Sequence, residues 1–350
     1  MSFELIKPNS NYNFIGNRYI AFAVSGFLIL ASIISIIYHK GLNLGVDFKG
    51  GLLVQFELTE NPGVEALRQS FAEAGFAISS LQNFGESGSE FLVNVSEGPL
   101  AEGQLLSQAA VSFLTGTYGE GKVEIKRTEM VGPKIGQDLR QKALYAIYYS
   151  ILIIIIYISG RFEQKWGISA IFVAVLLGII YLVSLFGVGV GILIVVALIV
   201  TLITCYVLKF SFALGSIIAL IHDVIITTGI FSILNKEITL SFVAAILTII
   251  GYSLNDSIIV FDRIRENTRK TRKGDYASVI NKSINETLSR TVLTSGTTLM
   301  ALFSLYFLGG PVNRDFALAL LIGLTVGTLS SIFLASPILL LWEKKKPAKA

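Results

Sequence analysis

Long apolar stretches separated by short polar connections dominate this chain, and they predict a protein that crosses a membrane several times. A helix of about 20 apolar residues spans the roughly 30 Å hydrocarbon layer of a bilayer. Eight stretches are long enough, at residues 19–38, 143–159, 168–187, 189–208, 212–234, 239–261, 291–308 and 316–342. The first is expected to be an uncleaved anchor, because no small-residue cleavage site follows it.

Between the first two stretches, residues 41–141 have the composition of a water-exposed domain. Alternating apolar and polar residues predict strands at 51–58, 76–84, 90–96 and 122–130. Helical spacing of apolar residues predicts one helix from about residue 64 and a second within 100–118. The order β-α-β-β-α-β is that of the ferredoxin-like fold, which hosts many functions and so predicts no chemistry.

Composition and charge give the expected orientation. The 350 residues are 53% hydrophobic and 15% charged, with a mean hydropathy of +0.69, whereas soluble domains carry about 25% charged residues. Basic residues accumulate on one side of the predicted helices, at Lys7, Arg18, Arg161, Lys165, Lys209, eight positions between 263 and 290, and four between 344 and 349. By the positive-inside rule both termini are cytoplasmic and the 41–141 domain faces outward from the cell inner membrane.

The predicted fold class is a polytopic α-helical membrane protein of about eight transmembrane helices with one α+β ferredoxin-like extracytoplasmic domain. Its parts are the N-terminus with the first helix (1–40), the domain (41–141), the transmembrane bundle (142–342) and a basic cytoplasmic tail (343–350). The single cysteine, Cys205, can form no internal disulfide.

A cytoplasmic amphipathic loop is predicted at 262–289, within the bundle, and residues 275–289 of it are predicted to form an amphipathic helix. Asp275 is a candidate N-cap, and one apolar stripe is formed by Tyr276, Ile280, Ile284 and Leu288. Such a helix lies on the membrane surface or packs on its own bundle. The basic residues beside it indicate topology and not a nucleic-acid site.

The most informative residue is Asp256, which lies with Asn255 inside the apolar run 239–261. A carboxylate at membrane depth costs about 3 kcal/mol on insertion scales, so it requires a partner, a water-filled cavity or a proton. Measured from Asp262, Asp256 lies about 9 Å inside the cytoplasmic edge. Arg290 begins the next span from the same side, and a snorkelling arginine could bend inward to meet it. We therefore predict an Asp256–Arg290 pair.

Asp223, in the span 212–234, is the second buried carboxylate, and His222 precedes it. A metal site is disfavoured because the only other histidine is His39. A proton relay and an interhelical hydrogen-bonding site both remain open for this pair. The alternative for all three charged residues is static helix–helix contact, which contributes only about 0.6 kcal/mol per hydrogen bond.

Glycines flank the domain where it meets the membrane helices. Gly50 and Gly51 precede its first strand, and Gly132 and Pro133 follow its last. They are either turn residues or, together with Asp47, a hinge on which the domain moves.

Several motifs resemble those of the SecF proteins in the SecD/SecF family, which belongs to the resistance–nodulation–division superfamily. The resemblance covers nearly the whole chain. It rests on GLNLGVDFKGG (41–51), VGPKIGQDL (131–139), IHDVIITTGI (221–230), GYSLNDSIIVFDRIREN (251–267), SRTVLTSGTTL (289–299) and, after GGP, FALALLIGLTVGTLSSIFLASP (316–337).

The resemblance implies a subunit, not an enzyme, that uses the proton gradient to drive motions of the outward domain and so promotes protein translocation. The implied partners are a SecD-like subunit, the SecYEG translocon and the emerging preprotein, and also YajC and a YidC-type insertase. No cofactor or metal is implied. The resemblance assigns Asp256, Arg290 and Asp223 to the proton pathway, and Asn255, next to Asp256, is a further candidate for the proton relay. One departure is expected: such proteins have six spans, so 168–210 is a two-span hairpin inserted among them, packing against lipid or a partner.

Two alternatives remain from the sequence. An efflux transporter of the same superfamily usually carries two large outward domains and about twelve spans in one chain. A scaffold for a translocon would hold Asp256 in a static ion pair.

Overall fold

The computed structural model describes residues 11–84, 88–99, 105–271 and 275–343. The predicted basic tail beyond residue 343 lies outside the described residues, as do Lys7, Arg272 and Lys273 of the charge pattern.

The domain between the first two membrane helices has the predicted ferredoxin-like fold. Its strands are β1 (Gly51–Leu58), β2 (Ala77–Phe84), β3 (Glu90–Glu97) and β4 (Val123–Val131). They form one antiparallel sheet in the order β2-β3-β1-β4, with β1 paired to both β3 and β4. Helices of this domain are α3 (Val64–Glu73) and α4 (Leu106–Tyr118); the shorter α2 (Val46–Lys49) precedes β1.

The two faces of the sheet have different neighbours. Side chains of β1 alternate, and Leu52, Val54 and Phe56 are buried with the apolar faces of α3 and α4. On β3 the opposite face is buried as well, at Leu92 and Asn94. One face of β3 therefore packs on α3 and α4, and the other face packs on the end of the membrane bundle.

Eight helices are long and apolar enough to cross a membrane within the described part of the chain, as predicted. They are α1 (Arg18–Tyr38), α5 (Pro133–Glu163), α6 (Trp166–Ser184), α7 (Val190–Val207), α8 (Ser211–Ile233), α9 (Leu240–Lys270), α10 (Tyr276–Leu308), and α11 (Gly310–Ser330) continued by a π-helical turn (Ser331–Ala335) and α12 (Ser336–Glu343). Among them α8 is the most enclosed.

The amphipathic segment differs from a separate loop helix. Residues up to 270 continue α9, and residues from 276 begin α10 without a break before the span. Its apolar stripe packs inward, with Ile280 and Ile284 buried and Ser283 bonded to Asn267 of α9. Tertiary packing against α9 therefore favours one long helix over a helix lying on the membrane surface.

The predicted 168–210 hairpin corresponds to α6 and α7, which lie at the edge of the bundle and remain mostly exposed. The chain ends that flank them meet each other: the Phe212 amide donates to Glu163 Oε1 at 3.1 Å, and Phe162 stacks on Phe212. The end of α5 therefore contacts the start of α8 directly, and the hairpin of α6 and α7 extends from this contact.

Candidate functional site

Asp256 lies fully buried where α9, α10 and α11 meet. Ser295 of α10 donates to Asp256 Oδ2 at 3.4 Å, and its hydroxyl lies 2.8 Å from that of Thr328 on α11. The other oxygen, Oδ1, is buried and has no hydrogen-bond partner among the described residues. This carboxyl is therefore enclosed in the bundle, with the hydroxyl groups of Ser295 and Thr328 beside it.

Asp223 is also fully buried, on α8, and is better supplied with donors. Its Oδ2 accepts from Ser253 of α9 at 2.7 Å and from Ser330 of α11 at 2.9 Å. Its Oδ1 lies 2.9 Å from His222 Nδ1, and the other ring nitrogen of His222 lies 3.0 Å from Ser25 Oγ on α1. Among the described residues no group of three or more His, Cys, Asp or Glu side chains is placed to hold a metal.

The two carboxyl groups belong to neighbouring clusters. Ser253, which donates to Asp223, precedes Asp256 by three residues and so shares its face of α9. Gly327 lets α11 approach: a Cβ there would lie 3.0 Å from that of Ser253 and 3.3 Å from Asp223 Oδ2. Hydroxyl groups from three helices therefore occupy the space between the two acids.

The predicted Asp256–Arg290 ion pair is not formed. Arg290 is exposed on α10, and its charge acts on Asp256 without a hydrogen bond or ion pair between the two side chains. The Tyr252–Thr298 and Asn267–Ser283 contacts fix the register of α9 against α10. In that register Arg290 lies about 6 Å from the level of Asp256, toward Lys270. Ser295 takes the place expected for the arginine.

Asn255 also lies apart from the buried acids. It is exposed on α9, on the same outward face as Gly251 and Thr248. A polar amide and an arginine thus stand on the uncovered side of α9 and α10, next to a fully buried aspartate.

The hinge candidates meet in one structure, which we call the joint (residues 43–51 and 131–136). A Cβ on Gly50, whose φ is +81°, would lie 2.9 Å from Pro133 Cα, so the chains entering and leaving the domain touch there. Gly136 is equally close to the Phe48 carbonyl. Asp47 Oδ2 accepts from the Leu240 amide at 2.8 Å, which ties the joint to the first residue of α9.

Several partners were not found by sequence reasoning. Ser25, Ser295, Thr328 and Ser330 are ordinary hydroxyl residues in apolar helices, where they usually bond their own backbone. The only available signal was the density of hydroxyl residues at 328–331, which includes Thr328 and Ser330 but not Ser25 or Ser295. The tie between Asp47 and Leu240 joins residues 193 positions apart and has no local signature.

The fold and the buried acids define a multi-pass membrane protein with an attached ferredoxin-like domain. A family model described as "Protein export membrane protein SecD/SecF, C-terminal" matches residues 112–206 and 188–345, and "SecD/SecF GG Motif" matches 35–61. The chain belongs to the SecD/SecF family.

Relatives and solved structures agree with this assignment. "Protein translocase subunit SecF" of Desulfurispirillum indicum is 40% identical, covering 94% of this chain and 90% of the relative. The protein of the same name from Vibrio alginolyticus is 38% identical, covering 97% and 92%. The crystal structure of SecDF, a translocon-associated membrane protein from Thermus thermophilus, is 34% identical with a TM-score of 0.71. This chain is 96% covered in that match but spans only 39% of the SecDF chain.

Proposed function

We propose that this chain is a proton-coupled subunit of a protein translocase, which works with a SecD-like partner to promote protein translocation at a SecYEG-type translocon. Family membership supports the role in translocation. The single observation that carries the coupling to protons is Asp256, a carboxyl group buried among helices with one oxygen unpartnered.

The buried acids support proton uptake on energetic grounds. A charged carboxylate at membrane depth is costly, and a proton removes that cost. Helix–helix contact alone does not explain Asp256, because its one hydrogen bond is long, at 3.4 Å, and such bonds contribute about 0.6 kcal/mol in membranes. Asp223, with His222 and the hydroxyl groups of Ser253 and Ser330 around it, extends the proposed pathway.

Helix α9 connects the proposed proton site to the domain. From Asp256 it runs about 24 Å to Leu240, whose amide is held by Asp47 in the joint. A change in the packing of α9 on Asp256 protonation would therefore act directly on the chain that enters the domain. Gly50 and Pro133, in contact in the joint, would pass this change to β1 and β4, which begin and end there side by side. In this proposal the joint is the hinge.

The uncovered face of α9 and α10 supports a SecD-like partner. Polar groups facing hydrocarbon are costly, so Asn255 and Arg290 are expected to be covered by protein. Small residues such as Gly251 beside Asn255 allow close helix packing. The matched SecDF chain is longer, since this chain spans 39% of it, and its remaining part is the kind of partner proposed. In the assembled protein Arg290 would then influence Asp256 from about one turn away.

Orientation follows from the charges. Arg161, Lys165 and Lys209 lie at the bundle end opposite the domain, with Asp262 bonded to Arg161. The positive-inside rule then supports cytoplasmic termini and an outward domain at the cell inner membrane.

Dissipation of the proton gradient should remove this subunit's contribution. In inner-membrane vesicles carrying the chain with its SecD-like partner and translocon, we expect stimulation of preprotein translocation at saturating ATP. A protonophore should reduce it to the level of vesicles lacking the chain, because no proton then crosses at Asp256. Stimulation that persists in full with the protonophore would favour a static scaffold and overturn the proposal.

A photo-crosslinking residue in place of Asn255 should capture the SecD-like partner. The expected product is a covalent complex of the two subunits, because position 255 faces the proposed contact. Gly178 of α6, where a Cβ would have nothing within 4 Å, is the matched control and should capture lipid alone. Equal capture of the partner from both positions, or from 178 only, would contradict the assigned face.

A further inference from the structure

Glu237 lies where the bundle touches the sheet of the ferredoxin-like domain. It belongs to the short connection between α8 and α9, which forms a parallel bridge with the joint: the Ile238 amide donates to the Asn43 carbonyl at 2.7 Å, and the Gly45 amide to the Ile238 carbonyl at 2.9 Å. From this fixed backbone the Glu237 side chain reaches β3. There Asn94 Nδ2 donates to its Oε2 at 3.0 Å.

This contact contains two buried acceptor oxygens that accept no hydrogen bond from a described residue. Glu237 Oε1 and Asn94 Oδ1 are both buried without a hydrogen-bond partner among the described residues. The Asn94 amide group is already used, donating to Ser80 Oγ at 2.7 Å and to Glu237. Leaving buried acceptors unsatisfied costs free energy for each group. A proton on Glu237 Oε1 would turn this oxygen into a hydrogen-bond donor, and Asn94 Oδ1 could accept the bond.

We propose that Glu237 is a proton-binding site at the contact between the domain and the bundle, and that its protonated form holds β3 on the bundle. Loss of the proton leaves a charge and two unsatisfied acceptors in the contact, which then opens. The inference stands apart from proton uptake at Asp256, because Glu237 lies outside the membrane-spanning helices. It concerns the position of the domain.

Burial raises the pKa of Glu237 above its usual value of 4.5. The hydroxyls of Ser79 and Ser80, the Asn94 amide and the positive charge of Lys49 each lower this pKa, but by less than burial raises it. The charged groups that line the same cleft are Lys49, Asp47, Lys236, Asp315, Arg68, Arg127 and Glu129. Four of them neutralise one another in two ion pairs, Lys236 with Asp315 and Arg127 with Glu129.

The sign of the pH dependence follows from this shift. The closed contact binds the proton more tightly than the open one, so closure is favoured most at acidic pH. As the pH rises above about 4.5, the open form loses its proton first, and the ratio of closed to open falls by up to tenfold per pH unit until the closed form also titrates. With the outward orientation proposed above, an acidic exterior closes the contact.

Distance measurement between two nitroxide labels tests the proposal on the full chain with its partner in lipid discs. Labels on Ser112 of α4 and Ser304 of α10, both exposed, would be attached in a Cys205→Ala background. Between about pH 5 and about pH 8 the wild-type distance distribution should shift toward the open form. Glu237→Gln, which supplies an amide donor at the same place, should keep the acidic distribution at both pH values.

Two further variants make the outcome specific. Glu129→Gln removes another carboxylate of the cleft and should retain the wild-type shift, and Asp256→Asn should retain it too. A wild-type distribution that does not change with pH would overturn the proposal, as would a Glu237→Gln variant that shifts like wild type. Loss of the shift in Asp256→Asn alone would place the titration at Asp256 and would also overturn it.

Discussion

Replacement of Asp256 by asparagine is expected to abolish the proton-dependent stimulation of translocation while leaving the chain folded. Asparagine has nearly the same size and can still accept from Ser295, so the contact with α10 and α11 survives. It cannot exchange a proton, and it removes a charge that is costly at this depth. The expected activity is that of vesicles that lack the chain, with an unfolding temperature equal to or above that of wild type.

The measurement is preprotein translocation in energised vesicles, with the unfolding temperature determined on the same variants. Asp262→Asn is the matched control, since it changes a carboxylate on the same helix that is partly exposed and paired with Arg161. This variant should retain the stimulation. Wild-type stimulation by Asp256→Asn would show that the buried acid moves no proton, and equal losses in both variants would indicate a general effect of charge on α9.

The fold was largely predictable because its signals are local. Strand β1 was evident from the alternation that buries Leu52, Val54 and Phe56, and the eight spans from their length alone. Segment 262–289 shows what such local signals cannot predict. Its apolar stripe was correctly found, but a stripe does not reveal which surface covers it. The covering surface is α9, so the segment continues directly into the span.

The candidate site was predictable in its acids but not in their partners, because helix rotation is set by tertiary packing. Arg290 precedes Ser295 by five residues, which turns a helix by about 500° and separates the two side chains by roughly 140° around α10. Once Ser295 faces Asp256, Arg290 must face elsewhere. In the same way Asn255 is turned about 100° from Asp256 on α9. The similar depth of Asp256 and Arg290 on neighbouring antiparallel spans gave the correct helices but the wrong contact.

Replacement of Gly229 by leucine is expected to destabilise the bundle more than any other single change considered. Helices α1 and α8 touch here: a Cβ on Gly229 would lie 2.7 Å from Ser32 Cα, which is backbone and cannot rotate away. The helices must separate, breaking the Ser35–Ser232 hydroxyl contact of 2.9 Å one turn further along. Overpacking of this kind costs about 3 kcal/mol, which lowers an unfolding temperature on the order of 10 °C.

The same substitution at Gly178 separates the clash from the loss of a helical glycine. A Cβ at Gly178 on α6 has nothing within 4 Å, and leucine is favoured over glycine in helices by roughly 1 kcal/mol. Gly178→Leu should therefore match or exceed the wild-type unfolding temperature in detergent. Equal unfolding temperatures for the two variants would contradict the close α1–α8 packing. That packing matters for the proposed mechanism, because α1 leads directly into the joint on which α9 would act.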